Sequence, residues 1–318
     1  MLSSHEALAW YLEGARTHVS LAGPPVLAVR VDDDGDTVYV SANEADRLIA
    51  EELLPEDADR VVRVPWHQSV IEAAGAGVAE AEVALGLRAA RASLLPAEVD
   101  RYRALGRETA EVLTAAARSL SASSTERSAA AALASGLAAR GIDPLVILVA
   151  GEERLPHRHP LPTDGPLGNR AMLVVCGRRH GLIANATRWV GDAGRDDERI
   201  LEVEAAYFAA TRPDARLNDV FAAGTAGYAA SGFDADEWTK HHQGGPTGYA
   251  GRDPRATTLT TDAVVSNHAF AWNPSALGAK AEDTVLVTES GIEVLTVDPE
   301  WPTVAFAGLR RPVARAFG

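Results

Sequence analysis

Leu95-Pro96 is the point in this sequence that most limits how the chain can fold. Proline pre-sets the first turn of a helix, where its missing N–H is not needed, and Glu98 and Asp100 fall where the positive end of the helix favours acidic side chains. Apolar residues then recur at helical spacing to about Leu120. A helix that long and that sharply started opens a new folding unit, so the sequence divides into residues 1–92 and 93–318. With 47% of its 318 residues apolar, the chain can bury a substantial core.

The first part reads as a small α/β domain. A helix is expected over His5–Gly14, followed by a Gly-Pro-Pro turn and strands at Val26–Val31 and Thr37–Ser41. Between those strands, Asp32 to Asp36 forms a hairpin turn. Its consecutive carboxylates are read as solvated, because they lack the spaced ligands of a calcium loop. Asn43–Leu54 has helical spacing, Val61–Pro65 suits a short strand, and the Ala-rich stretch Ala73–Ala92 is expected to contain a further strand.

In the second part, Ser121–Ser124 breaks the long helix and Thr125-Glu126 starts another, which ends at Arg140-Gly141 with a basic last turn and a glycine stop. Strands are expected near Val146–Ala150, Ala171–Cys176 and Leu182–Trp189, and helices at Glu198–Thr211 and Arg216–Ser231. Short strands and Gly- and Pro-rich turns fill the remainder. The layout is α+β and not doubly wound, with no visible internal repeat.

Charge narrows the partners. A formal net charge of -14 disfavours nucleic acid and anionic membranes, both of which require a basic surface, so a small-molecule partner is expected. The first residues lack the basic start and apolar run of a secretion signal, and no apolar stretch approaches the roughly 20 residues that span a bilayer. The chain reads as cytosolic. Cys176 is the single cysteine, which excludes an intramolecular disulfide, and its apolar surroundings suit a small core thiol.

Four blocks then occur in an informative order. His159-Pro160-Leu161-Pro162-Thr163, the run GLIANATR from Gly181 to Arg188, HHQGGPTGY from His241 to Tyr249, and WNPSALGAKAEDTVLVT from Trp272 to Thr288 each match one segment of a known pattern. Together, over roughly Pro96 to Pro302, they resemble the pita-bread family of methionine aminopeptidase, aminopeptidase P, prolidase and creatinase. The resemblance implies a pita-bread α+β catalytic domain behind a shortened N-terminal domain, and a homodimer by analogy. Peptidases of that family hold two metal ions with two Asp, one His and two Glu, and here those positions read Val175, Asn185, Gly245, Asn273 and Glu282. Val and Gly offer no donor and Asn only a neutral oxygen, so no metal and no other cofactor is expected.

The polar residues left in these segments are His159, His241, His242, Gln243, Arg252, Asn273, Lys280 and Glu282. Creatinase is the family's metal-free precedent and uses a pocket His with paired acids, and His159 and Glu282 match that His and one acid by motif. The resulting expectation is a metal-independent, creatinase-like enzyme acting on a carbon–nitrogen or acyl bond of a small polar amino-acid-like metabolite, by hydrolysis or cyclisation. His159 and His242 are its acid/base groups and Glu282 orients substrate or water.

Adjacent residues of an extended segment face opposite ways, so only one of His241 and His242 is expected to enter the pocket, with His242 favoured. Arg252 and Lys280 either bind a substrate carboxylate or pair with Glu282, while Tyr249 and Trp272 form either an aromatic wall or core. Gln243, Asn273 and His241 complete the substrate-binding candidates. A metal-dependent Xaa-Pro aminopeptidase and a non-catalytic binding module on the same fold are the alternatives.

Overall fold

A computed structural model describes residues 1–317, which form two compact units: Met1–Arg91 with His180–Leu182, and the remainder. In the first unit, helix α1 (His5–Tyr11) is capped by Ser4, whose side chain accepts from the Ala7 N–H. Strands β1 (Leu27–Asp32) and β2 (Gly35–Ser41) pair antiparallel in the register Leu27–Val40 to Asp32–Gly35, so the acidic run is the hairpin turn. After α2 (Ala45–Glu51) and α3 (Pro55–Ala58), β3 (Val61–Val64) adds parallel to β2. Leu8, Leu12, Leu27, Val29, Val38, Val40 and Leu48 make the core.

One expectation fails in this unit. Ala73–Ala92 holds no strand: α4 (Val70–Ala73) is followed by a 3₁₀ turn at Glu80–Val83 and by α5 (Ala84–Ala92). The reason is local. ALGLRAARA contains no β-branched residue and is rich in strong helix formers, and the Glu82 carboxylate accepts from the Ala79 N–H at the start of the turn.

The second unit begins with α6 (Pro96–Arg118), where Glu98 accepts from the Leu95 N–H at 2.7 Å, and α7 (Glu126–Ala138), capped by Thr125. A three-stranded sheet follows in the order β4 (Asp143–Ala150), β5 (Arg170–Arg179), β6 (Leu182–Gly191). Helices α8 (Asp197–Ala210) and α9 (Leu217–Ala230) come next. β7 (Gly244–Pro246) and β8 (Ala269–Trp272) precede a small hairpin of β9 (Ser275–Ala276) and β10 (Ala279–Lys280). β11 (Val285–Thr288) and β12 (Gly291–Val294) complete a sheet ordered β12-β11-β8-β7, and β13 (Thr303–Phe306) pairs with β14 (Leu309–Pro312).

Two features join the elements of the second unit. Tyr207, Phe221, Tyr228, Phe270, Trp272 and Val285 form a core between the helix pair and the second sheet. A bridge from Ala186 on β6 to Asp283, with the Thr187 N–H donating to the Glu282 carbonyl at 2.9 Å, fastens the first sheet to the segment before β11. Beneath it lies a buried ionic chain: Arg188 pairs with Asp283 at 2.8 Å, Arg311 reaches Asp283 at 2.9 Å, and Arg311 forks onto Glu204 at 2.6 and 2.7 Å. Among the described residues no helix is long and apolar enough to cross a membrane.

The helix pair depends on a missing side chain. A Cβ built on Gly224 in α9 would lie 2.1 Å from the ring of Tyr207 in α8, and that ring is fully buried. Gly224→Ala is therefore expected to destabilise the protein by about 1–3 kcal/mol, because a packed aromatic must move. Urea unfolding should show a lower midpoint with an unchanged slope.

Candidate active site

Residues far apart in sequence bring three imidazoles together in the second unit. His159 sits on the loop between β4 and β5, and His241 and His242 follow the 3₁₀ turn Glu237–Lys240. The loop is anchored by Glu126 at the start of α7. Its buried carboxylate accepts from the Gly151 N–H at 2.8 Å, the Thr163 N–H at 2.8 Å and the Thr163 hydroxyl at 2.6 Å, and pairs with Arg154. Burial alone would raise the Glu126 pKa, yet these donors hold it below the usual carboxylate value. Nearer His159, Arg158 donates to Glu237 at 2.6 Å and to the Ser275 hydroxyl at 3.1 Å, tying the loop to the turn that precedes His241.

The Nε2 atoms of His159 and His241 are 3.1 Å apart, so one ring donates and the other accepts, and their tautomers are linked. The His241 ring lies 4.4 Å from His242 at an interplanar angle of 25°, and His159 is 5.7 Å from His242 between ring centroids. His159 is exposed, His242 half-buried and His241 buried. The expectation that only one of His241 and His242 can face the cluster is thus corrected. Strand alternation does not apply, because His241 directly follows a 3₁₀ turn and β7 begins only at Gly244.

All three rings are neutral at pH 7. Burial, reinforced by the Lys280 ammonium, pushes the His241 pKa down to about 2, and burial with the Arg252 guanidinium lowers that of His242 to about 4. His159 shifts the same way, through burial and Lys280. Each ring therefore keeps an unprotonated nitrogen.

Glu282 is buried, and both of its oxygens are engaged. Arg252 Nη2 and Lys280 Nζ each lie 2.9 Å from the carboxylate, and the Thr187 hydroxyl donates to it at 2.9 Å. Burial raises its pKa, but Lys280 and Arg252 outweigh burial and hold it at about 2. Of the two roles open to Arg252 and Lys280, the structure shows the ion pair.

A two-metal centre does not fit these residues. Val175 is fully buried in the β4–β5 ladder opposite Ile147. Asn185 accepts from Arg252 at 3.2 Å and donates to Thr247 at 3.2 Å. Gly245 has φ +136°, and a Cβ there would lie 2.9 Å from Ala256 N and Pro254 O, so no side chain could replace the missing ligand. Asn273 is buried and uncharged, its Oδ1 without a hydrogen-bond partner. The one anion, Glu282, is already matched by two fixed cations, where divalent ions would need several carboxylates.

The remaining candidates make internal contacts. The Gln243 side chain accepts from Tyr228 at 2.8 Å and donates to the His241 carbonyl at 2.7 Å, holding the turn beneath the imidazoles. Trp272 is core, stacked on Tyr207 with Nε1 donating to Thr211 at 2.9 Å, and Tyr249 is buried with its hydroxyl donating to Glu98 at 2.5 Å. Neither forms an aromatic wall. Sequence reading passes over Arg158, whose only signal is its place beside His159. It also passes over the placing of Cys176, which lies within electrostatic reach of Glu282, Arg252 and Lys280. Burial, with Glu282, pushes that thiol up to about 12, so it is no nucleophile at neutral pH. A cavity of about 540 Å³ is bordered by Arg188, Trp189, Lys280 and Glu282 but by none of the three imidazoles. His159 borders an open depression along residues 154–161.

The sequence pattern of metallopeptidase family M24 matches residues 100–289. Among solved structures, a prolidase from Pyrococcus furiosus is similar at a TM-score of 0.73 and 17% identity, covering 94% of this chain and 96% of its own. A dipeptidase from Mycobacterium ulcerans is similar at 0.73 and 18%, covering 99% and 92%. An X-Pro aminopeptidase from Thermotoga maritima is similar at 0.70 and 14%, covering 99% and 96%. These likenesses show a shared α+β pita-bread fold. No curated protein matches the sequence.

The site imposes a pH dependence on stability. Unfolded histidine binds its proton near pH 6.5, whereas His241 does so only near 2 and His242 near 4. The unfolded state therefore binds more protons as pH falls below 6.5, and stability declines. Glu282 acts lower. Its contribution is complete above its ordinary 4.5 and is lost as pH falls toward 2. Thermal melts should show that His241→Gln flattens the decline between pH 6.5 and 4, and that Glu282→Gln flattens the decline below 4.5 while lowering Tm at neutral pH.

Proposed function

The chain belongs to metallopeptidase family M24, and on that premise we propose that it is a hydrolase of a carbon–nitrogen bond in a small amino-acid-like molecule, working by imidazole acid/base chemistry without the two-metal centre. The observation that carries this reading is the convergence of three neutral imidazoles, two with Nε2 atoms 3.1 Å apart, within electrostatic reach of a carboxylate already paired with two cations. Such a centre lacks the several carboxylates that a two-metal site needs, but it has a base, His159, where water can reach it.

His159 is the exposed member and takes the proton of an attacking water. The water oxygen bonds to the substrate carbon, and the imidazolium returns its proton to the departing nitrogen as the carbon–nitrogen bond breaks. His241 positions His159 through the linked hydrogen bond, and His242 supplies a second nitrogen beside it. Lys280 and Arg252 leave a residual positive field near the rings, which favours a substrate bearing a carboxylate. This creatinase-like route is the metal-independent form of the hydrolysis that the family shares.

A second reading has its own support: solved structures of the same fold include prolidases and an X-Pro aminopeptidase, whose substrates also contain an amide carbon–nitrogen bond. An Xaa-Pro dipeptide panel, alongside amidine and guanidine amino acids, separates the two. Turnover is expected to be insensitive to EDTA, and His159→Ala should lower kcat/KM by about 100- to 10,000-fold, the size of a lost acid/base group. Turnover that required added Mn(II) and survived His159→Ala would sink the metal-free reading in favour of the second.

A further inference from the structure

We propose that His159, His241 and His242 form a binding site for a single transition-metal ion, separate from the five positions of the family's two-metal pattern. Each residue offers a ligand nitrogen, and the three nitrogens lie within 4.8 Å of one another. The 3.1 Å between two Nε2 atoms is near the roughly 3.3 Å expected for two nitrogens at about 2.0 Å from one tetrahedral zinc. Little movement is needed for these two rings to share an ion.

Burial gives an independent sign. The His159–His241 contact uses Nε2 of each ring, whereas Nδ1 of His242 is buried with no hydrogen-bond partner. Buried polar atoms without partners are uncommon and call for an explanation, and an ion in the cluster can supply one for the His242 nitrogen. The ligand-bearing segments are also held in place, by Glu126 beneath the loop and by Arg158 between the loop and the turn. Such support orients metal-binding imidazoles and strengthens their hold.

The donor set selects the ion. Three neutral imidazoles without a carboxylate suit Zn(II), Co(II), Ni(II) or Cu(II), and disfavour Mg(II), Ca(II) and Mn(II). Lys280 and Arg252 repel any cation here, so affinity is lower than for an uncharged surrounding, but the same charges favour an anion as fourth ligand on the exposed His159 side. The site should thus take a metal and a carboxylate together. Metal binding occupies the nitrogens that the acid/base reaction uses, so zinc should inhibit turnover. That consequence rests on the function proposed above; the binding itself does not.

Co(II) titration of the full chain, followed by visible absorption, tests the proposal. One ion per chain is expected, with the intense bands of tetrahedral cobalt and a spectral shift on adding acetate. Removing a direct ligand should weaken binding at least as much as losing a supporting group does, about 10- to 100-fold. His159→Ala makes this test without opening the core, and His241→Ala repeats it. His157→Ala, at an exposed neighbour, should leave binding unchanged. Absence of binding, or binding that survives His159→Ala, would overturn the site. Turnover lost in His159→Ala by a chain that binds no cobalt would overturn the site and keep the acid/base reading. Cobalt binding with turnover indifferent to zinc and to His159→Ala would do the reverse.

Discussion

The second unit is organised around one buried negative charge. Glu282 would be costly to bury alone, and its burial is tolerable because Arg252, Lys280 and the Thr187 hydroxyl surround it from three different segments. Those partners come from β6, from the loop after β7 and from β10, so satisfying the carboxylate fixes how the two sheets meet. The adjacent residue, Asp283, extends the constraint through Arg188 and Arg311 to Glu204 on α8. Removing one member of such a network leaves its partners buried and unpaired, which typically costs more than the pair contributes.

This ion cluster also determines what chemistry is open to the site. Positive side chains stand at a centre whose family pattern calls for divalent ions, and the field they create falls on the imidazoles. Burial and that field together keep His159, His241 and His242 unprotonated at neutral pH. The protein therefore presents neutral imidazole nitrogens at positions outside the family's two-metal pattern. The proposed proton transfer and the proposed coordination of a single ion would draw on the same nitrogens.

Much of the fold was legible from local pattern. Pro96 with Glu98 marked the start of α6, Thr125 capped α7, and Asp32–Asp36 formed the hairpin turn, because each depends on a backbone preference or a side chain acting within a few residues. Ala73–Ala92 was misread where glycines interrupt a helix-forming composition. The paired roles of Arg252 and Lys280 stayed open, since their common partner Glu282 is 30 residues from Arg252. Trp272 and Tyr249 looked alike as aromatic candidates, and only their buried hydrogen bonds to Thr211 and Glu98 place them in the interior.

By itself, the sequence determined most of the order of helices and strands, the α+β class and the absence of acidic side chains at Val175, Asn185, Gly245 and Asn273, because these depend on local pattern and side-chain identity alone. Only the tertiary structure decided that His159 meets His241 and His242, and that Glu282 is neutralised from within. Those contacts join residues 82 and 30 positions apart, through a loop held by Arg158 and a turn that breaks strand alternation. Neither the closing of such distances nor the departure from alternation is encoded in any single local pattern, so the chemistry of the site became readable only after the chain was folded.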